Sequence, residues 1–319
     1  MPLLKKTPKF DFMGRRRLAL AFSATLIALS LASLVFRGLN FGLDFTGGVL
    51  LEVDYGRPAV LEDVRSALTE AGYTDALVQN FGTASDVLIR LPPVDGGATL
   101  DGAGAAPAGG DGSAAEEPGA DVGQAVLSAL RTRNPDVNLL RTEFVGPQVG
   151  ADLREQGSLA MLFTLIMIFG YVMLRFRWKF AAGAIAALVH DVMITVGFFS
   201  IFQLNVDLSV LAAVLAVIGY SLNDTIVVYD RIRENFRAIR RGGAVEIVNT
   251  SINQTLSRTI ITALTTLFVL FALLVLGGEA IAGFSIALIV GIVIGTYSSV
   301  YIASALALVL EVTPADLMP

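Results

Sequence analysis

Two carboxylates and one guanidinium lie in or beside stretches of sequence that are otherwise apolar. Asp224 stands within Ile218-Gly219-Tyr220-Ser221-Leu222-Asn223-Asp224-Thr225, Asp191 follows His190 inside an apolar run at 180–204, and Arg258 opens another at 259–276. A carboxylate in hydrocarbon costs at least roughly 2.5–3.5 kcal/mol, so such groups face a bundle interior or a wet cavity. The spacing suggests what compensates Asp224. Its run ends near Asp230, about 9 Å away at 1.5 Å per residue. A following helix that begins around Ile252 brings Arg258 to nearly the same depth, so an Asp224–Arg258 pair across neighbouring helices is expected. One reading is a static salt bridge that fixes helix packing. The other is a proton switch. Arginine effectively never releases its proton, whereas for Asp224 desolvation favours the neutral acid and Arg258 the ionised one. Protonation would cancel the pair and leave Arg258 needing a new partner, a difference between states that can move helices. One charge crossing the full potential carries about 2.3 kcal/mol per 100 mV.

Asp191 is a weaker candidate, open both to helix packing and to proton relay. Neighbouring residues on a helix point about 100° apart, so His190 and Asp191 are not expected to form one site, and His190 reads as a satisfied interior histidine. A single histidine is also a poor basis for a metal site. Asn223 and Ser221 suit hydrogen bonds across helices or the lining of a wet cavity. Gly291-x-x-x-Gly295 reads as a close-packing signal. No cofactor is expected; on the switch reading the coupling ion is the proton.

The elements that must position these groups are membrane spans. A spanning helix needs about 20 apolar residues, and six runs meet or approach that: 18–36, 157–174, 180–204, 208–229, 259–276 and 281–310. The last is long for one span and calls for tilt, a bend near Gly291 and Gly295, or an extension past the bilayer. The composition agrees. The 319 residues are 54% hydrophobic and only 16% charged, with mean hydropathy +0.68, against roughly 25% charged in soluble domains. A net charge of −5 argues against nucleic acid as a partner, and the lack of cysteine excludes disulfides and thiol chemistry. The lead at 1–17 is basic, but the first run is too long for a signal core and lacks a good cleavage site, so it reads as an uncleaved anchor.

Lys and Arg mark the cytoplasmic side. They fill the lead, the link Arg175, Arg177, Lys179, and the loop 230–258 with Arg231, Arg233, Arg237, Arg240, Arg241 and Arg258. Both termini, including the tail 311–319, are therefore placed in the cytoplasm. Residues 37–156 lie outside and hold 18 Asp/Glu against 8 Lys/Arg. In that segment 49–54, 76–81, 87–91 and 137–145 read as strands, 59–71 and 122–131 as helices, with Asp121 a plausible N-cap. The order β-α-β-β-α-β is that of a ferredoxin-like split unit. Residues 95–120 are rich in Gly, Ala, Asp, Glu and Pro, too polar to offset ordering entropy, and are expected to be a disordered insertion that can be deleted without loss of folding.

Phe41-Gly42-Leu43-Asp44-Phe45-Thr46-Gly47-Gly48, the stretch 219–234 around Asn223-Asp224-Thr225, Ser251-Ile252-Asn253-Gln254-Thr255-Leu256-Ser257-Arg258-Thr259, Val145-Gly146-Pro147-Gln148-Val149-Gly150 and Gly295-Thr296-Tyr297-Ser298-Ser299 together resemble the SecF branch of the SecD/SecF family of protein-export membrane subunits, in the resistance-nodulation-division superfamily. The resemblance covers about 10–310. It implies a six-helix transmembrane α bundle with an inserted α+β ferredoxin-like periplasmic domain in the bacterial inner membrane. It further implies a complex with SecD beside the SecYEG channel, with YajC as a further partner, promoting preprotein translocation at the outer face and driven by the proton gradient. In that family an Asp of the fourth span and an Arg opening the fifth belong to the proton-coupling site, and they match Asp224 and Arg258; a further Asp comes from SecD. The insertion is unlike the compact family domain, and the basic lead looks like the separate-subunit form.

Two other functions fit the residues less well. An intramembrane aspartyl protease needs two carboxylates close enough to share a proton, and the Gly-x-Gly-Asp signature is missing because Asn223 precedes Asp224. A proton-driven exporter of small molecules or lipids would carry larger outer domains and twelve helices in one chain.

Overall fold

The structure, a computed structural model, describes residues 9–92, 118–239 and 242–310. It divides into two compact units, 1–40 with 158–319, and 41–157.

The second unit is built on strands β1 (Gly48–Asp54), β2 (Leu77–Phe81), β3 (Thr83–Leu91) and β4 (Asn138–Val145), with helices α2 (Leu61–Glu70) and α3 (Pro118–Arg133). All neighbouring strands are antiparallel, in the order β2-β3-β1-β4. This is the arrangement of a ferredoxin-like unit, with its two helices following β1 and β3. The period-2 alternation of β1 places Val49, Leu51 and Val53 on one face. There they pack with Ile89, Val87, Val64, Leu68, Val126 and Leu130 into one core. Leu51 pairs with Ile89 on one side and Thr142 on the other. Several boundaries differ from expectation, the strand expected at 87–91 starting already at Thr83. Helix α3 opens at Pro118 rather than after an Asp121 cap, because a proline at the first helical position lacks only an N–H that would have no intrahelical partner. Of the expected insertion 95–120, residues 95–117 lie outside the described residues, and 118–120 belong to this helix.

The segment leading into β1 is held by two arginines. Arg90 donates to the Phe41 carbonyl at 2.6 Å and Arg154 to the Phe45 carbonyl at 2.6 Å. Gly47 sits at φ +69°, and a Cβ there would lie 2.8 Å from the Cα of Pro147. The glycine is therefore required both by its backbone conformation and by the close approach of the chain entering the second span.

The first unit holds α1 (Arg16–Phe36), the greater part of α4 (Pro147–Arg175), and α5 (Trp178–Phe202), α6 (Leu208–Ala238), α7 (Ala244–Leu276), α8 (Glu279–Ser298) and α9 (Ser304–Val309). A π turn, Ser299–Ala303, joins the last two. Among the described residues, six stretches are long and apolar enough to cross a membrane. Helices α5 and α6 form the inside of the bundle, whereas most of the apolar surface of α1, α4 and α7 is exposed. Small residues allow the close crossings. A Cβ on Gly291 of α8 would lie 2.2 Å from Val217 Cγ2 of α6, and one on Gly197 of α5 would meet Ser30 of α1 at the same distance. At the N-terminal end of α6, Asp207 caps the helix by accepting from the Val210 amide at 2.8 Å.

The helices outrun the apolar runs that mark them. The expected loop 230–258 is mostly helix, α6 continuing to Ala238 and α7 starting at Ala244. The irregularity in the last span falls at the π turn rather than near Gly291 and Gly295, which remain in regular helix against α6. A π turn shifts the hydrogen-bond register and leaves carbonyls to be satisfied otherwise. Ser304 donates to the Ser299 carbonyl at 3.2 Å, and the Tyr229 hydroxyl of α6 donates to the Ala303 carbonyl at 2.9 Å. Tyr229 is wholly buried, and its hydroxyl occupies the space a side chain at Gly183 would need.

Candidate functional site

Asp224 is buried on α6, 8% exposed. Each of its oxygens has one partner from a different helix: Thr259 of α7 donates to Oδ1, and Ser299, the first residue of the π turn, donates to Oδ2 at 2.5 Å. A carboxylate so placed has both oxygens hydrogen-bonded by neutral hydroxyls, which hold it without fixing its charge.

The expected Asp224–Arg258 ion pair is not the contact made. Arg258 is exposed on α7. The reason is helical: α7 starts at Ala244 and turns Thr259 inward, which rotates the preceding residue about 100° away. Asn223 is likewise exposed, one position from Asp224 on α6. Thr259 and Ser299 were missed as partners. The signal for them lay only in the motifs 251–259 and 295–299, since hydroxyl residues are common in apolar helices where they bond to their own backbone.

Ser221 does bond across helices, but to the other acid. It donates to Asp191 Oδ2 at 2.5 Å, and Ser298 donates to the same oxygen at 2.7 Å. Asp191 is fully buried on α5. His190 and Asp191 form one site after all: Nδ1 of His190 lies 2.8 Å from Asp191 Oδ1. The 100° between their Cα–Cβ directions is overcome by side chains that turn toward each other. His190 Nε2 reaches Ser23 of α1 at 3.0 Å, Ser23 reaches the Tyr297 hydroxyl at 3.1 Å, and Tyr297 donates to the Ala19 carbonyl at 2.7 Å. Asp191 and Asp224 thus have separate partner sets, and no hydrogen bond joins them among the described residues, so the shared proton of an aspartyl protease has no geometry here. Among the described residues, no three His, Cys, Asp or Glu side chains converge as a metal site requires.

Fold and site together define a multi-pass membrane protein with an inserted α+β domain and hydrogen-bonded carboxylates inside its helical bundle. The sequence matches the family described as protein export membrane protein SecD/SecF, C-terminal, over residues 125–313, and the SecD/SecF GG motif over 32–59. It is 48% identical over 318 residues to the protein translocase subunit SecF of Vibrio alginolyticus, spanning 99% of this chain and 95% of that one. It is 50% identical over 317 residues to the subunit of the same name from Pseudomonas aeruginosa, spanning 98% and 95%. Among solved structures it is similar to SecDF, a translocon-associated membrane protein from Thermus thermophilus, with TM-score 0.82 and 36% identity. That similarity covers 97% of this chain and 40% of SecDF. The super-membrane-facing form of SecDF superposes with TM-score 0.69 over the same shares. The chain belongs to the SecD/SecF family of protein-export membrane proteins.

Proposed function

We propose that this chain works as a SecF-type subunit with SecD in the bacterial inner membrane, using the proton gradient to promote preprotein translocation through SecYEG at the outer face. Both ends of the chain then lie in the cytoplasm and residues 37–156 in the periplasm, with YajC a further partner. Asp224 is the proton-binding group and Arg258 its cationic counterpart. The role is one of coupling rather than covalent catalysis.

The observation that carries this reading is the Asp224 carboxylate, buried where charge is expensive and held by hydroxyls from two other helices. Gaining or losing a proton there changes what α7 and the π turn have to bond, and so biases how the helices pack. The exposure of Arg258 and Asn223 supports a partner subunit. Neither residue would be left facing lipid at mid-helix, and both lie on the surface next to Asp224, where a helix bearing a further acid would cover them. The similarity to SecDF, in which the matching chain is 40% of a longer polypeptide, supports SecD as that partner.

The test is preprotein translocation into membrane vesicles with and without a proton gradient, for Asp224→Asn and Arg258→Met. Loss of the gradient-dependent part with both changes supports the assignment; normal stimulation with either would overturn it. An exporter of small molecules would instead show drug or lipid sensitivity with secretion intact.

A further inference from the structure

Ser298 and Ser299 are consecutive, yet they bond different buried acids. Ser298 donates to Asp191 at 2.7 Å and Ser299 to Asp224 at 2.5 Å. They stand where α8 gives way to the π turn, an irregular element that recurs at functional positions because its register can shift. Any displacement of one serine is therefore felt by the other.

Hydrogen-bond accounting then places the protons around His190. A carbonyl only accepts, so Tyr297 donates to Ala19. The Tyr297 oxygen is left to accept, so Ser23 donates to it, and the Ser23 oxygen must accept from His190 Nε2. Nε2 therefore carries hydrogen. On the other side of the ring, Nδ1 and Asp191 Oδ1 lie 2.8 Å apart and need one hydrogen between them, while Oδ2 is already filled by Ser221 and Ser298. Whether that hydrogen sits on nitrogen or oxygen, the pair is neutral as a whole. This accounts for a carboxylate and an imidazole both nearly without exposure inside the bundle, 0% and 3%. The titratable groups that face the pair are Tyr297 of α8, with Tyr301 stacked beyond it, and Asp224 through Ser299; α1 contributes Ser23 and Ala19.

We infer that His190 and Asp191 are a proton-sharing positioning pair for the coupling site: they hold Ser298, and through the adjacent Ser299 they are linked to the protonation state of Asp224. This rests on Asp224 being the coupling acid. In the reverse direction, a proton arriving at Asp224 loosens Ser299, shifts Ser298 and moves the shared hydrogen between Nδ1 and Oδ1.

His190 is the chain's single histidine, so nitrogen-15 labelling of histidine gives a spectrum of this ring alone. The experiment uses the full chain, co-reconstituted with unlabelled SecD in lipid bilayers and purified with a histidine-free tag. The expected spectrum has a protonated Nε2 and a Nδ1 resonance displaced by a strong hydrogen bond, the displacement vanishing in Asp191→Asn. In Asp224→Asn the Nδ1 resonance moves while Nε2 stays protonated. In the Ser298→Ala, Ser299→Ala background, Asp224→Asn no longer moves it. A Nδ1 signal indifferent to Asp224→Asn, or a bare Nε2, overturns the inference. If Asp224→Asn translocates normally, it is the coupling role of Asp224 that fails, and the spectrum still decides whether the two acids communicate.

Discussion

Thr259 donates a hydrogen bond to Asp224 from one membrane helix to the next, while Arg258, its neighbour in the chain, stands exposed on the same helix. The carboxylate is thus held in the bundle by a neutral group. The hydrogen bonds to Asp224 come from the hydroxyls of Thr259 and Ser299, not from Arg258.

Thr259 should matter through its hydroxyl rather than its size. Thr259→Val keeps the volume but leaves one Asp224 oxygen without its donor, a loss of about 1–3 kcal/mol for a buried polar group. Thr259→Ser retains the donor and should stay near wild type. Thermal unfolding in detergent, together with gradient-dependent translocation, separates the two; equal behaviour of Val and Ser variants would show that the hydroxyl is unimportant.

Gly291 should tolerate no side chain unless Val217 yields. A Cβ placed 2.2 Å from Val217 Cγ2 forces the helices apart, and overpacking of this kind costs typically about 1–3 kcal/mol. Gly291→Ala should lower the unfolding temperature, and adding Val217→Ala should restore much of it. Failure of the second change to rescue the first would mean the clash is relieved elsewhere.

Much of this architecture was legible before the structure. Hydropathy marks lipid-facing length well, so the six spans emerged from the apolar runs. It says nothing about where a helix stops once it leaves the membrane, which is why α6 reaches Ala238 and α7 starts at Ala244 through charged sequence. The order of strands and helices along residues 41–157 was legible from the sequence, whereas the order of the strands within the sheet comes from their pairing. Asp224 and Asp191 stood out because carboxylates in apolar sequence are costly. Their actual partners did not. Ser298, Ser299 and Thr259 are hydroxyl residues that a helix accommodates without comment, and a rule about Cα–Cβ directions hid the contact between His190 and Asp191.

The unit 41–157 carries a pH limit of its own. Burial, with the nearby charge of Asp63 adding to it, pushes the Tyr55 hydroxyl from its ordinary 10.0 up to about 12. The folded state thus favours the protonated phenol. The resulting stability is complete below about pH 10 and is lost as pH rises toward about 12. Unfolding followed against pH, with tyrosinate absorbance as a second probe, should show an alkaline decline that Tyr55→Phe reduces. An unchanged decline in that variant would place its origin in other groups.

The most direct measurement is proton-gradient stimulation of preprotein translocation by vesicles carrying Asp224→Asn with wild-type levels of folded complex. The neutral amide preserves shape and one acceptor oxygen, puts a donor NH2 in place of the other, and cannot take up and release a proton. The expected result is loss of stimulation by at least about tenfold, a difference of ~1.4 kcal/mol or more in the driven step, with gradient-independent translocation retained. Full stimulation in Asp224→Asn would contradict the assignment of this carboxylate as the group through which the gradient acts.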